Sequence, residues 1–249
     1  MTGFESALDA VSGVEGWMSD GQARRLWELA RGVPAGGRIV EIGSFRGRSA
    51  IVLARATGGA AEVIAIDPHA GNDRGPQEIV GSRDEGEADN VAFRANLERA
   101  GVSGSVRHVR LPSQEALGSV GGELDLLYVD GAHRYGPASD DIARWGARVR
   151  PGGTMLVHDS FSSVGVTLAL MRLLFLGGSF VYVGRERSLA EYRRVDVPLR
   201  TGERLRNLAR QAAELPWFAR NVAIKVALVA RAPAPVLRLL GHSSRDLPY

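Results

Sequence analysis

The feature that most constrains this chain is a series of short, apolar, β-branched runs alternating with segments of helical periodicity. Arg38–Ile42 (RIVEI), Glu62–Ile66 (EVIAI), Val106–Leu111, Leu124–Val129 (LDLLYV) and Thr154–Val157 each read as a strand. Between them, helices are expected from an Asp20 N-cap through Leu29, at Ser49–Ala56, and at about 89–100. Strands this apolar need cover on both faces. The pattern therefore predicts a doubly wound, Rossmann-like α/β fold around a mostly parallel sheet. Phe180–Val183 and Leu189–Tyr192, split only by a short charged turn, add an antiparallel hairpin and bring the sheet to seven strands.

Ligands of such sheets bind beyond the carboxyl ends of the strands. Those ends carry Gly43, Asp67, Pro112-Ser113-Gln114, Asp130 and Asp159. Composition narrows the chemistry further. With no cysteine among 249 residues, disulfides, thiolate metal sites and cysteine nucleophiles are excluded. The start, MTGFESALDA, lacks a basic segment followed by an apolar one and does not read as a secretory signal. The longest uncharged runs, Ser160–Met171 and Leu173–Gly184, fall short of the roughly 20 residues of a membrane span. A cytoplasmic location is the expectation.

Charge divides the chain. Residues 198–249 hold nine Lys/Arg against three acids, so the remainder of this +3 chain is net −3. A mildly acidic body argues against nucleic acid as a partner. The expected division is a domain over residues 1–197, with residues 1–35 a helical cap, and a basic, helical extension over 198–249. Its stretch LPWFARNVAIKVALVAR mixes aromatics with spaced cations, a composition compatible with a membrane surface. Its apolar residues do not collect on one face, however, and packing on the domain or on a second copy in a homodimer is favoured over peripheral membrane contact.

The first strand leads into Glu41-Ile-Gly43-Ser-Phe45-Arg-Gly47-Arg-Ser49. Glycines there let the backbone turn sharply and approach a ligand, and the following helix start offers free N–H donors. The spacing E-x-G-x-x-x-G-x-S differs from the G-x-G-x-x-G of nicotinamide sites. Asp67 closes the second strand 24 positions after Gly43, where a carboxylate can accept from both hydroxyls of a ribose.

With VEIGSFRGRSA, VIAIDPH, LPSQEAL, LDLLYVDGAHRY and VRPGGTMLVHDS in this order, the chain resembles the class I S-adenosylmethionine (SAM)-dependent methyltransferases. Within them it is most similar to small-molecule O-methyltransferases of the catechol and macrolide-sugar groups. The likeness covers roughly Gly13 to Arg194. It implies that Glu41, Gly43, Phe45, Gly47 and Ser49 line the methionine end of SAM, that Asp67 holds the ribose, and that Ser113 and Gln114 lie beside the adenine. Asp130 would sit near the sulfonium and, in metal-dependent relatives, bind a divalent cation such as Mg²⁺ with Asp159. His133 falls where relatives place a general base.

Elementary chemistry agrees with these roles. Methyl transfer from a sulfonium requires aligned donor and acceptor and removal of the acceptor's proton. Asp130 and His133, three residues apart beyond a strand end, can face one cleft, and imidazole titrates near neutrality. A cation on Asp130 and Asp159 would acidify a hydroxyl acceptor. Metal-binding relatives often place Asn or Asp after the second carboxylate, whereas here Ser160 follows and His158 precedes; either of these is a weaker metal-ligand candidate. The plain structural alternative is that Asp159 or Ser160 caps the helix before Phe161.

Trp17, before the first helix, falls where relatives fold an N-terminal segment over the cofactor, with a core position as the alternative; the loop residues His69, Asn72, Asp73 and Arg74, and Tyr135, are candidates for contact with the substrate. The leading expectation is O-methylation of a small-molecule hydroxyl, such as a sugar or specialised metabolite. N-methylation, a nicotinamide-dependent oxidoreductase, and a non-catalytic binding protein acting through its basic tail are the alternatives.

Overall fold

The computed structural model describes residues 3–71 and 81–241. Its first half runs α1 (Gly3–Val11), α2 (Asp20–Arg31), β1 (Arg38–Ile42), α3 (Arg48–Thr57), β2 (Glu62–Ile66), α4 (Arg83–Arg99), β3 (Val106–Val109) and α5 (Ser113–Ala116). There follow β4 (Leu124–Val129), α6 (Tyr135–Gly146), β5 (Val149–Val157), α7 (Val164–Leu170), β6 (Phe180–Glu186) and β7 (Leu189–Arg194). Three helices end the described chain: α8 (Thr201–Ala212), α9 (Leu215–Val229) and α10 (Ala234–Leu239).

The seven strands form one sheet in the order β3-β2-β1-β4-β5-β7-β6. β1 to β5 are parallel, and β7 is inserted antiparallel between β5 and β6. Alternate residues of each strand feed two separate cores. Ile39, Val63, Ala65, Leu126 and Tyr128 pack under α1 to α4. Val40, Ile42, Ile64, Ile66, Leu127 and Val129 pack under α5 to α7 and the C-terminal helices. Full burial of one such aliphatic or aromatic side chain contributes about 1.5–3 kcal/mol. Both faces are thus held, as strands without a polar side require.

Register places the candidate residues in line. Ile42 pairs with Ile66 and with Val129, and Val129 pairs with Val157. The next residues, Gly43, Asp67, Asp130 and His158, therefore leave the sheet at one level. Strand order reverses between β1 and β4, which opens a crevice at the ends carrying Gly43 and Asp130.

The local differences from the sequence expectations have physical causes. Helix α2 is capped by Ser19, not Asp20: the Ser19 hydroxyl accepts from Gln22 N while Gln22 reaches back to Ser19 N, a capping box. Helix α4 starts at Arg83 behind its Ser82 cap, about six residues before the expected start near 89. Strand β3 stops at Val109, where Leu111 N folds back onto Val109 O. Strand β5 starts five residues early at Val149, because the Pro151-Gly152-Gly153 turn is absorbed as a register shift against β4. The residue before α7 is Ser163, so neither Asp159 nor Ser160 caps that helix.

Helices α8 and α9 pack back on the second core through Leu208, Leu215, Trp217 and Phe218. Strand β6 is an edge, and Asn207 of α8 satisfies it, accepting from Tyr182 N at 2.8 Å and donating to Phe180 O at 3.1 Å. Gln211, one turn on, is fully buried and donates to Leu174 O. Among the described residues no helix is long and apolar enough to cross a membrane.

Candidate active site

A cavity of about 800 Å³ opens at the strand ends, across the β1/β4 crevice. Its first wall is the β1–α3 turn. Gly43 has φ +83°, and a Cβ there would lie 2.1 Å from Asp130 O, so only glycine lets the two strand ends approach this closely. Asp67 fixes the turn from the β2 side. Its Oδ2 accepts from Ser44 N at 2.9 Å and Phe45 N at 2.8 Å, and its Oδ1 from His69 N at 2.8 Å. His69 adds a contact of 2.8 Å from Nε2 to Phe45 O. Both Phe45 (φ 43°) and His69 (φ 48°) are held in the left-handed region, costly for non-glycine residues and tolerated where surrounding contacts over-determine the backbone.

Gly43, Phe45, Ser49, Asp67, Ser113 and Gln114 line this cavity with Asp130, His133, His158 and Asp159. Glu41 and Gly47 are not among the lining residues; Glu41 lies fully buried just beneath. Neither carboxyl oxygen of Glu41 has a hydrogen-bond partner. Burial pushes its pKa up to about 8, the nearby Ser49 and Ser44 hydroxyls opposing without satisfying it. Trp17 stands over the turn with its ring 5.3 Å from that of Phe45.

Ser113 is held by a residue that sequence reasoning missed. Its hydroxyl donates to Asp141 of α6, and its carbonyl accepts from Trp145 Nε1 at 3.2 Å. Burial raises the Asp141 pKa to about 6, the Ser113 hydrogen bond opposing. Nothing in the run Ser139-Asp-Asp141 marks which carboxylate turns inward; only the helix's packing decides it.

The same cavity is lined by a cluster of two carboxylates and two imidazoles. His133 Nε2 is 2.8 Å from Asp159 Oδ2. His158 Nδ1 is 3.1 Å from Asp130 Oδ1 and 3.4 Å from Asp159 Oδ2. Tyr128, behind them, donates its hydroxyl to Asp130 Oδ2 at 2.7 Å. Burial works against a charged His133, but Asp159 and then Asp130 outweigh it and hold the imidazole pKa above its ordinary value. His158 is raised further, burial again opposing, by Asp130 and Asp159. Asp159 is correspondingly held well below the usual carboxylate range, its burial outweighed by the two histidines. Asp159 itself has φ 55°.

One ligand atom from each of Asp130, His133 and Asp159 lies within 4.8 Å of the others, a set that fits a divalent cation. Ser160 is directed elsewhere, its hydroxyl donating to Val157 O at 2.8 Å. Tyr135 is not among the lining residues; its hydroxyl accepts from Arg172 on the outside. Asn72, Asp73 and Arg74 lie outside the described residues.

The remaining wall comes from the end of the chain, which carried no readable motif. Arg185 and Arg187 of the β6–β7 hairpin, with Trp217, Arg220 and Asn221 of α9, line the cavity. Helix α9 docks on the turn after β5: Asn221 Nδ2 donates to Phe161 O at 3.1 Å and Lys225 Nζ to Ser162 O at 3.0 Å.

Comparison with known proteins agrees with this architecture. Residues 40–160 match a family described as a methyltransferase domain. The fold is similar to that of cofactor-bound Rv0187 from MTB, with 22% identity, TM-score 0.52, and 78% of this chain and 90% of that one covered. It is also similar to the O-methyltransferase TomG from Streptomyces achromogenes in complex with SAM (20% identity, TM-score 0.50, 78% and 88% covered). A third likeness is the O-methyltransferase from Bacillus cereus in complex with SAH, the demethylated form of SAM (16% identity, TM-score 0.52, 79% and 91% covered). Residues 40–160 thus resemble a methyltransferase domain, and the chain shares the Rossmann-like fold of these cofactor-bound structures.

Proposed function

We propose that this chain transfers the methyl group of SAM to a hydroxyl of a small molecule. The observation that carries this reading is the Asp130–His133–His158–Asp159 cluster sharing one cavity with the Gly43 turn. SAM fits the first wall. The Gly43 cradle leaves no room for a Cβ, an unpartnered carboxyl lies beneath it at Glu41, and Asp67 presents a carboxylate at the end of β2. SAM supplies an electrophilic methyl on a sulfonium, which moves to the acceptor oxygen as the carbon–sulfur bond breaks.

The residues of the chain supply alignment and proton removal. Gly43, Phe45 and Ser49 would bound the methionine end, Asp67 the ribose, and Ser113 with Gln114 the adenine. Asp141 would orient Ser113 from behind. His133 would take the hydroxyl proton, with Asp159 holding the imidazole and stabilising the cation that forms. His158, charged between Asp130 and Asp159, would keep the cluster close to neutral so that an alkoxide-like oxygen is not repelled. Helix α9, with Trp217, Arg220 and Asn221, would close the acceptor side.

A second reading is favoured by the spacing of Asp130, His133 and Asp159. These three would hold a divalent cation, which would lower the pKa of an acceptor hydroxyl. Formation of SAH from SAM, followed by mass spectrometry over a panel of hydroxyl and amine acceptors, separates the readings. The His133 base predicts hydroxyl-dependent turnover that survives chelation and is lost in His133→Gln. Turnover abolished by chelation and restored by Mg²⁺ moves the assignment to the metal. Transfer confined to amines, or none stimulated by any acceptor, would contradict the proposal.

A further inference from the structure

The acceptor side of the cavity carries more positive charge than its packing uses. The tip of the β6–β7 hairpin abuts the turn after β5, with Ser160 N donating to Ser188 O at 2.9 Å. Arg187 therefore stands one residue from a backbone contact beside Asp159. The three guanidiniums that the hairpin and α9 bring to this wall, Arg185, Arg187 and Arg220, are not equivalent. Arg185 is committed: its Nε donates to Glu214 at 2.7 Å and its guanidinium lies 3.9 Å from the centre of the Trp217 ring. Arg220 donates to the carbonyls of Leu240 and Gly241 and meets no carboxylate among the described residues. The Arg187 side chain has no hydrogen bond or ion pair among the described residues.

Arg187 is also a conformational oddity. It occupies the hairpin turn at φ 52°, where glycine or asparagine is the cheaper residue. A left-handed backbone is unfavourable for any residue with a Cβ, arginine included. Arg187 is exposed at the hairpin tip and lines the cavity, so its guanidinium is available to a ligand there. A guanidinium is suited to the two-point recognition of a carboxylate or phosphate.

We infer that the acceptor carries an anionic group, a carboxylate or a phosphate, beside the hydroxyl that is methylated, and that Arg187 and Arg220 hold it. The inference rests on the methyltransferase reading above.

The test uses matched probes on the full chain saturated with SAH: 3,4-dihydroxybenzoate against 3,4-dihydroxybenzamide, and glucose 6-phosphate against glucose, at constant ionic strength. Calorimetric titration is expected to show at least one anion binding tenfold or more tightly than its neutral partner. Arg187→Ala and Arg220→Ala should each remove most of that advantage, and Arg187→Lys should restore part of it. Which pair responds tells carboxylate from phosphate. Equal affinity within both pairs, or an advantage that survives both alanine variants, overturns the inference. SAH binding is measured first on every protein. Its absence from the wild type overturns the methyltransferase reading itself, whereas SAH binding without anion preference overturns this inference alone. Variants that bind SAH normally are folded.

Discussion

The two walls of the cavity are built in different ways. The donor wall is made of backbone: Gly43, the turn that follows it, and the Asp67 carboxylate joined to Ser44 and Phe45 N–H across 23 and 22 residues of chain. The acceptor wall is made of side chains brought from afar. Asn221 reaches Phe161 and Lys225 reaches Ser162 over 60 and 63 residues, and Gln22 reaches Ser188 over 166. A backbone wall suits a ligand that stays constant, because its donors are positioned by the sheet itself. A side-chain wall can be re-cut by substitution without disturbing that sheet. The division predicts that changes on one side leave the function of the other intact.

The most severe test of this independence is His133→Gln. Losing the base should lower kcat by roughly 10²- to 10⁴-fold, while SAH affinity by titration stays within twofold of wild type. A parallel loss of both would break the comparison. Gly43→Ala attacks the opposite wall. With φ +83° and a contact at 2.1 Å to Asp130 O, it should cost about 2–3 kcal/mol in urea unfolding and weaken SAH binding tenfold or more. Gly118→Ala, where nothing lies within 4 Å, is the control and should change stability by less than about 0.5 kcal/mol.

A third prediction sharpens the acceptor side. His133 must be neutral to accept a proton, and its pKa is raised above the ordinary value of 6.5 by Asp159 and Asp130 against the pull of burial. Activity should therefore rise with pH along a limb displaced above that value. Asp159→Asn should move the limb down in pH while lowering the maximal rate. His158→Gln removes a cation that holds His133 down and should move the limb up. A limb unmoved by either change would remove His133 from the mechanism.

The smallest effect concerns Asp141, behind the donor wall. Its folded pKa of about 6 lies above the ordinary aspartate value of 3.8, so the protonated form favours folding. That contribution is complete below about pH 4 and is lost as pH rises through 6. Asp141→Asn, which can still accept from Ser113, should raise Tm by a few degrees at pH 8 and by nothing measurable at pH 4. Equal shifts at both values would show that the carboxylate is not the cause.

The contrast between the walls also explains what could be read from the sequence. Strands β1, β2 and β4 were legible to the residue because their hydrophobic runs are local and end in Gly43, Asp67 and Asp130. The Ser19 cap was misplaced by one position, since Ser19 and Asp20 are both good caps and only the reciprocal Gln22 contact decides between them. Asp130, His133 and Asp159 could be named from their places after β4 and β5, but their ion pairing with His158 depends on two strands lying side by side. Arg185, Arg187, Arg220 and the inward turn of Asp141 were invisible for the same reason. Their roles come from hairpin and helix packing, which leaves no periodic signal. The edge-covering Asn207 and Gln211 of α8 are a further case, polar residues whose burial is intelligible only once β6 is known to be an edge.

The central claim is that the donor wall is a finished binding site that does not depend on the acceptor chemistry. Titration of SAH into the wild type, His133→Gln and Asp67→Ala measures it directly. One-to-one binding to the wild type is expected, unchanged in His133→Gln and clearly weakened in Asp67→Ala. No SAH binding by the wild type, or equal binding by all three, would contradict it.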